Sequence, residues 1–350
     1  MIIFDSHLDL AWNALNWNRD LTLTISDIRA SERADPDPHK GANTVCFPEM
    51  RRGNVAICLS TVLARSTSAG RALLDYRTQE TASAMGHGQR MYYEIMQRQG
   101  HLRLLRNAQE LDAHVKQWLS RADAPIGCIL SMEGADPILD NDDAVRWWEL
   151  GLRVVGLSHY GLGVYAHGTS GSGGLTTRGF ELLKAFESLG MIVDVTHLTD
   201  EGFWQVIERY EGPLLASHNN CRALVPGQRQ FSDEQIRALI ERGGVLGVVC
   251  DSWMLCPDYK FGKTDNEKVR LSHVVDQIDH ICQLAGNVQH VAIGSDLDGG
   301  YGREQSPSDL DTIADLQKLI PLLEGRQYPS SDIENVMYGN WLRFFQAAWQ

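Results

Sequence analysis

The sequence predicts an α/β fold in which eight parallel strands and the helices between them close into one (β/α)8, or TIM, barrel. Three observations predict it. Short apolar runs, mostly rich in β-branched residues, recur along the whole chain, as expected of parallel strands covered on both faces. Stretches of helical character separate them, so strand and helix alternate in series. The first run is not followed by a glycine-rich phosphate loop, which the structural alternative, an open doubly wound sheet, usually carries.

The eight strand candidates cover residues 2–5, 55–62, 126–132, 154–158, 192–196, 214–217, 245–250 and 291–295. Helix candidates cover 73–99, 108–119, 142–150, 176–189, 200–209, 233–242, 272–284 and 309–323. Thr176, Asp200 and Ser232 are expected caps, and Gly190, Gly243 and Gly286 are expected stops. Residues 18–48 have weak periodicity and are expected as a long loop after the first strand, above the active face. The glycine-rich stretch 161–174 is expected as a mobile loop after the fourth strand. No repeat and no linker divides the chain, so residues 1–350 are expected to form one barrel domain.

With 350 residues, 43% of them hydrophobic, the chain can bury a large core. A formal net charge of −13 repels phosphate backbones, which argues against nucleic acid as a partner. Seven scattered cysteines without a C-x-x-C pair match neither a disulfide framework nor a zinc knuckle. The opening residues show no basic-then-apolar leader, and no apolar run is long enough to span a membrane. The expected location is the cytoplasm, away from membranes.

Catalytic groups in such barrels sit where strands end. Six of the eight ends carry a titratable group: His7 and Asp9 on the first, Glu133 on the third, His159 on the fourth, His197 on the fifth, His218 on the sixth and Asp296 on the eighth. Residues two apart on a strand share a face, so His7 and Asp9 can grip one ion from the same side. Five ligand-type residues, with Glu133, His197 and His218, are too many for one tetrahedral ion with an open position. Asp5 and Asp194 lie within strands and read as support, and Asp298 as a turn residue ahead of Gly299 and Gly300. Other histidines, such as His101, His114 and His280, fall on expected helices or loops and read as surface residues.

Asp-Ser-His-Leu-Asp-Leu at 5–10, Ser-Met-Glu-Gly at 131–134, Gly-Leu-Ser-His at 156–159, Val-Asp-Val-Thr-His at 193–197, Ala-Ser-His at 216–218 and Gly-Ser-Asp-Leu-Asp-Gly at 294–299 together resemble the membrane dipeptidase (renal dipeptidase) family of zinc peptidases. Gly-Asn-Trp-Leu-Arg-Phe-Phe at 339–345 is similar to that family's closing helix. The resemblance implies a metal-dependent barrel with two divalent ions, zinc. His7 and Asp9 would bind one, His197 and His218 the other, and Glu133 both. It implies that His159 contacts the substrate and its tetrahedral intermediate. It also implies that Arg229 receives a substrate carboxylate and that Asp296 transfers a proton. The implied substrate is a dipeptide, with a D-residue tolerated at the second position, and a homodimer is implied. Leu8 and the sequence Ala135-Asp136 depart from the family pattern and bear on the pocket wall.

Two other readings stand beside this one. A binuclear amidohydrolase acting on a cyclic amide, lactone or similar ester often bridges its metals with a carboxylated lysine at a strand end. None of the seven lysines here is so placed. A metal- or ligand-binding protein without turnover would be favoured had Asp296 or a ligand been lost.

Overall fold

The apolar runs lie in one parallel sheet in the computed structural model, which describes residues 1–37, 39–66, 75–121 and 123–350. Its eight main strands are β1 (Ile3–Leu8), β2 (Val55–Val62), β3 (Ile126–Glu133), β4 (Leu152–Gly156), β5 (Ile192–Asp194), β6 (Leu214–Leu215), β7 (Leu246–Val248) and β8 (Val291–Ile293). They pair in the order β7-β8-β1-β2-β3-β4-β5-β6. The two ends of that path meet at a parallel bridge between Ala216 and Leu246, where Gly247 N donates to Ala216 O at 2.8 Å. A nearly closed barrel results, not the open sheet. The strand Leu102–Leu104, not expected from the sequence, pairs with Ile126–Cys128 of β3, while β4 takes the same strand from Leu130 onward.

The strands are buried on both faces, which is why they read as continuous apolar runs rather than alternating ones. At the floor, the last helix, Asn340–Ala348, plugs the barrel with aromatic rings. Phe345 stacks on Phe4 at 5.5 Å between ring centres, and Trp341 Nε1 donates to Ile293 O at 3.0 Å. With the floor filled, the opposite end, where the strands run out, faces the loops that follow them.

Several boundaries differ from expectation. The helix expected over 73–99 runs Gln79–Arg98 under a Thr78 cap. Asp75–Tyr76 instead pairs with Arg65–Ser66, and residues 73 and 74 lie outside the described residues. Thr199, not Asp200, caps the helix Asp200–Arg209. Where the sequence predicts one helix over 309–323, Ile313–Lys318 is a 3-10 helix and Leu319–Gly325 an α-helix. The stretch 18–48 is not a bare loop. It holds the helix Ile25–Glu32 and wraps around Arg19, whose guanidinium donates to Glu32 at 2.7 and 3.1 Å and to Asn13 Oδ1 at 2.7 Å. A buried ion pair organises this segment, and hydrophobic periodicity cannot show one. The stretch 161–174 is likewise pinned: Gly161 N donates to Thr169 O, Gly163 N to Ala166 O and His167 N to Gly174 O, at 2.8 to 3.0 Å. All seven cysteines are free thiols. Among the described residues no helix is long and apolar enough to cross a membrane.

His114 corrects a surface reading. It is fully buried in the helix Ala108–Ser120, and its Nε2 donates to Ala56 O at 2.9 Å. Its Nδ1 is buried without a partner. Burial pushes its pKa below the usual 6.5, so it folds neutral. The unfolded chain then binds more protons than the folded one below that value, and stability is lost as pH falls through it. His114→Gln keeps a donor that does not titrate. Denaturant unfolding at about pH 7 and about pH 5 should show a smaller acid loss in the variant than in the wild type. Equal losses would remove His114 as a source of acid sensitivity.

Candidate active site

The site stands on a layer of very small residues at the barrel centre. Ser6 Oγ lies within hydrogen-bond distance of the carbonyls of Ile293 and Ser217, at 3.0 Å from the first. A Cβ on Gly294 would fall 1.9 Å from Ser217 O, and one on Gly247 would fall 2.1 Å from it. Backbone therefore packs on backbone here, and only glycine fits. Above this layer two aspartates tie neighbouring strand ends together. Asp5 accepts from Ser295 N at 2.9 Å and from His7 N at 3.2 Å. Asp194 accepts from Ser217 N at 3.0 Å, Thr196 N at 3.0 Å and Ser217 Oγ at 2.5 Å.

On that base the strand-end side chains converge. Glu133 Oε1 lies 3.0 Å from His197 Nε2, 3.2 Å from His218 Nε2 and 3.8 Å from His159 Nε2. Its other oxygen lies 3.7 Å from His7 Nε2. His7 Nε2 is also 3.8 Å from Asp9 and 3.8 Å from Asp296. His197 and His218 bring their Nε2 atoms to 3.1 Å. Three overlapping groups of donors arise: His7, Glu133 and His218; Glu133, His159 and His197; and His7, Asp9 and Asp296. His197 and Asp296 reach their places with φ of 67° and 57°, a left-handed backbone that non-glycine residues seldom adopt.

The electrostatics follow from burial and crowding. Burial raises Glu133 to about 7 against the opposing pull of His7. Burial also holds the Asp296 carboxyl well above the usual range, and Glu133 and Asp9 add to it. Burial drives His197 and His218 well below 6.5, with the Arg229 charge adding to the effect in both. His7 goes the other way. Burial opposes it, yet Glu133, Asp9 and Asp296 together lift it to about 10.

The cluster floors a pocket of about 490 Å³, counting its open mouth, whose walls include Trp12, Leu63, Tyr160, Trp253 and Met254. Arg229 reaches it from the segment after β6. The guanidinium is buried, donates from Nη2 to His218 O at 2.9 Å and keeps Nη1 without a partner. Asp251, after β7, faces the same pocket, accepts from Gln305 Nε2 at 2.9 and 3.0 Å, and is raised by burial to about 7.

The model of the membrane dipeptidase family, peptidase family M19, matches residues 1–350. The chain belongs to this family. It is a metal-dependent hydrolase of the dipeptidase type. An uncharacterized protein in the pqqA 5′ region of Klebsiella pneumoniae is 31% identical over 260 residues, 72% of this chain and 90% of that protein. Dipeptidase verJ of Clonostachys rogersoniana is 29% identical over 223 residues, 62% of this chain and 54% of that protein. Among solved structures, a metallo peptidase from Rhodobacter sphaeroides liganded with a phosphinate mimic of the dipeptide L-Ala-D-Ala shares the fold. Its TM-score is 0.81 at 23% identity, over 100% of this chain and 99% of that one. The probable dipeptidase PvdM of Pseudomonas aeruginosa superposes with a TM-score of 0.77 at 18% identity, over 99% and 95% of the two chains.

In this dipeptidase the sequence-expected residues His7, Asp9, Glu133, His159, His197, His218, Arg229 and Asp296 all meet at the one mouth. Asp5 and Asp194 lie one layer below. Asp298 does more than turn the chain: its carboxylate accepts from Thr44 N at 2.7 Å, Thr44 Oγ1 at 2.8 Å and Val45 N at 3.0 Å, fastening the long first segment over the site. Asp251 and Arg65 were missed. Both follow strands, β7 and β2, by three residues, so the strand-end rule extended by one turn of loop would have included them.

The glycine layer gives a test. Gly294→Ala must push Ser217 aside, and Ser217 precedes His218. Overpacking of this kind costs about 1–3 kcal/mol. Equilibrium unfolding should show that loss, and Gly227→Ala, where a Cβ meets nothing within 4 Å, should not. Equal stability in the two variants would show that the floor is slack.

Proposed function

We propose that this dipeptidase holds two divalent ions, zinc, and hydrolyses dipeptides carrying a free C-terminal carboxylate. The observation that carries the reading is the convergence of three imidazole Nε2 atoms and His7 on the two oxygens of Glu133. The donor set fits divalent ions. His7 Nε2 and Asp9 Oδ1 are buried without hydrogen-bond partners. His197 and His218, neutral and 3.1 Å apart, would repel without a cation between them. His7 and Asp9 would hold one ion, His197 and His218 the other, and Glu133 both.

Bound there, the ions supply Lewis acidity and make water ionisable near neutral pH. The chain's own residues do the rest. Arg229 offers its unpartnered Nη1 to the substrate carboxylate inside a buried wall, where a neutral amide would leave the guanidinium without a charge partner. His159 stands beside Glu133 at the pocket edge, where an imidazole N–H can donate to an oxygen that gains negative charge. Asp296, raised by burial, is suited to take a proton and return it to the leaving amine. The ligand of the Rhodobacter peptidase supports trying a D-residue at the second position.

Steady-state assays on L,L- and L,D-dipeptides, their C-terminal amides, tripeptides and a small lactone test the reading. Free dipeptides should turn over, and the other compounds should not. Cleavage of amides or lactones as readily as free dipeptides would move the cyclic-amide and lactone alternative ahead. Arg229→Met should raise KM for dipeptides by about 10–100-fold, as expected when a charged hydrogen bond to substrate is lost. Asp296→Asn should keep KM and lower kcat by about 10²–10⁴-fold. Near-normal kcat in a metal-replete Asp296→Asn protein would take that carboxylate out of the reaction.

A further inference from the structure

Three of the four histidines of the cluster, His159, His197 and His218, each make a different hydrogen bond with the outer nitrogen, and that bond decides where the proton sits. Ser217 Oγ donates its one proton to Asp194, so it accepts from His218 Nδ1, 2.9 Å away. Thr169 Oγ1 donates to His197 O at 3.4 Å and accepts from His197 Nδ1 at 2.9 Å. Both rings therefore present a bare Nε2 to the site, as a metal ligand must. His159 is opposite. Its Nδ1 lies 3.2 Å from Nη1 of Arg65. A guanidinium has no acceptor and does not lose its proton, so Nδ1 must be the bare nitrogen and Nε2 must carry the hydrogen.

Arg65 is built for this contact. It is 5% exposed, and Asp75 takes its Nε at 2.7 Å and its Nη2 as well, which turns Nη1 toward His159. Asp136, the departure from the family pattern noted above, locks the same neighbourhood. It is buried and accepts from Ser66 N at 2.7 Å and from Val164 N at 2.8 Å. The residue after Arg65 is thereby tied to the loop that follows His159.

We infer that Arg65 is a positioning residue. It fixes His159, unlike His197 and His218, with its N–H facing the pocket, so that this ring donates to the substrate while those two neighbours bind metal. The inference rests on the dipeptidase reading for its catalytic consequence but not for the placement of the proton.

Long-range nitrogen–proton NMR of histidine-labelled, zinc-loaded protein tests both halves, with His159→Gln identifying the His159 signals. The wild type should show His159 Nδ1 unprotonated and Nε2 protonated. Arg65→Met should give a mixture of tautomers and lower kcat by about 10–100-fold, with KM within about threefold. Arg65→Lys, which keeps a cationic donor, should recover most of that loss. In a His159→Gln background Arg65→Met should cost less than about threefold, because the two residues act as a unit. A protonated Nδ1 in the wild type, or an undiminished Arg65→Met effect without His159, would overturn the inference. A wild type that shows the expected tautomer yet cleaves no dipeptide would overturn the proposed function and leave the proton placement supported.

Discussion

Everything at the mouth of this barrel depends on one arrangement that is unfavourable on its own terms. A buried carboxylate, Glu133, stands among imidazoles whose Nε2 atoms crowd to 3.1 Å of each other. Neutral rings with lone pairs facing, and three carboxylates around His7, repel unless a cation or a proton lies between them. Burial raises the pKa of Glu133 and Asp296, and the three surrounding carboxylates raise that of His7 against its burial. A fold can sustain such a cluster only if its backbone is held from elsewhere.

The barrel supplies that hold in layers. Aromatic rings close the floor, glycines and serines let the strands meet in the middle, and Asp5 and Asp194 cross-link strand ends beneath the ligating groups. The left-handed backbone at His197 and Asp296 is held by hydrogen bonds, from the His197 ring to Thr169 Oγ1 and from Gly299 N to the Asp296 carbonyl. Outside the cluster, Asp298 and the Arg19–Glu32 pair fold the first long segment down as a roof. The pocket is thus a gap between a rigid base and a pinned cover, with Arg229 and Asp251 in its walls.

Much of this was legible in the sequence, for a definite reason. A parallel barrel writes each strand as an apolar run and places chemistry at its end, so Glu133, His197, His218 and Asp296 stand out against the runs before them. The departures share another cause. Arg19 with Glu32, and Arg65 with Asp75, are partners whose burial depends on where the chain returns, which no local pattern encodes. His114 looks like an exposed helical histidine until β2 presents the Ala56 carbonyl to it. The hydroxyls of Ser217 and Thr169 are common residue types, and only geometry reveals that they set the tautomers of two rings. Even the short strands β5 to β8, two or three residues each, were extended too far because their flanks turn inward as site rather than continuing as sheet.

The central claim is that Glu133 is shared between two metal ions. Anomalous diffraction at the zinc edge from crystals of the metal-loaded protein measures this most directly. Two peaks are expected, one beside His7 and Asp9 and one beside His197 and His218, each within bonding distance of a Glu133 oxygen. A single peak, or two peaks with Glu133 outside the coordination of either, would contradict it.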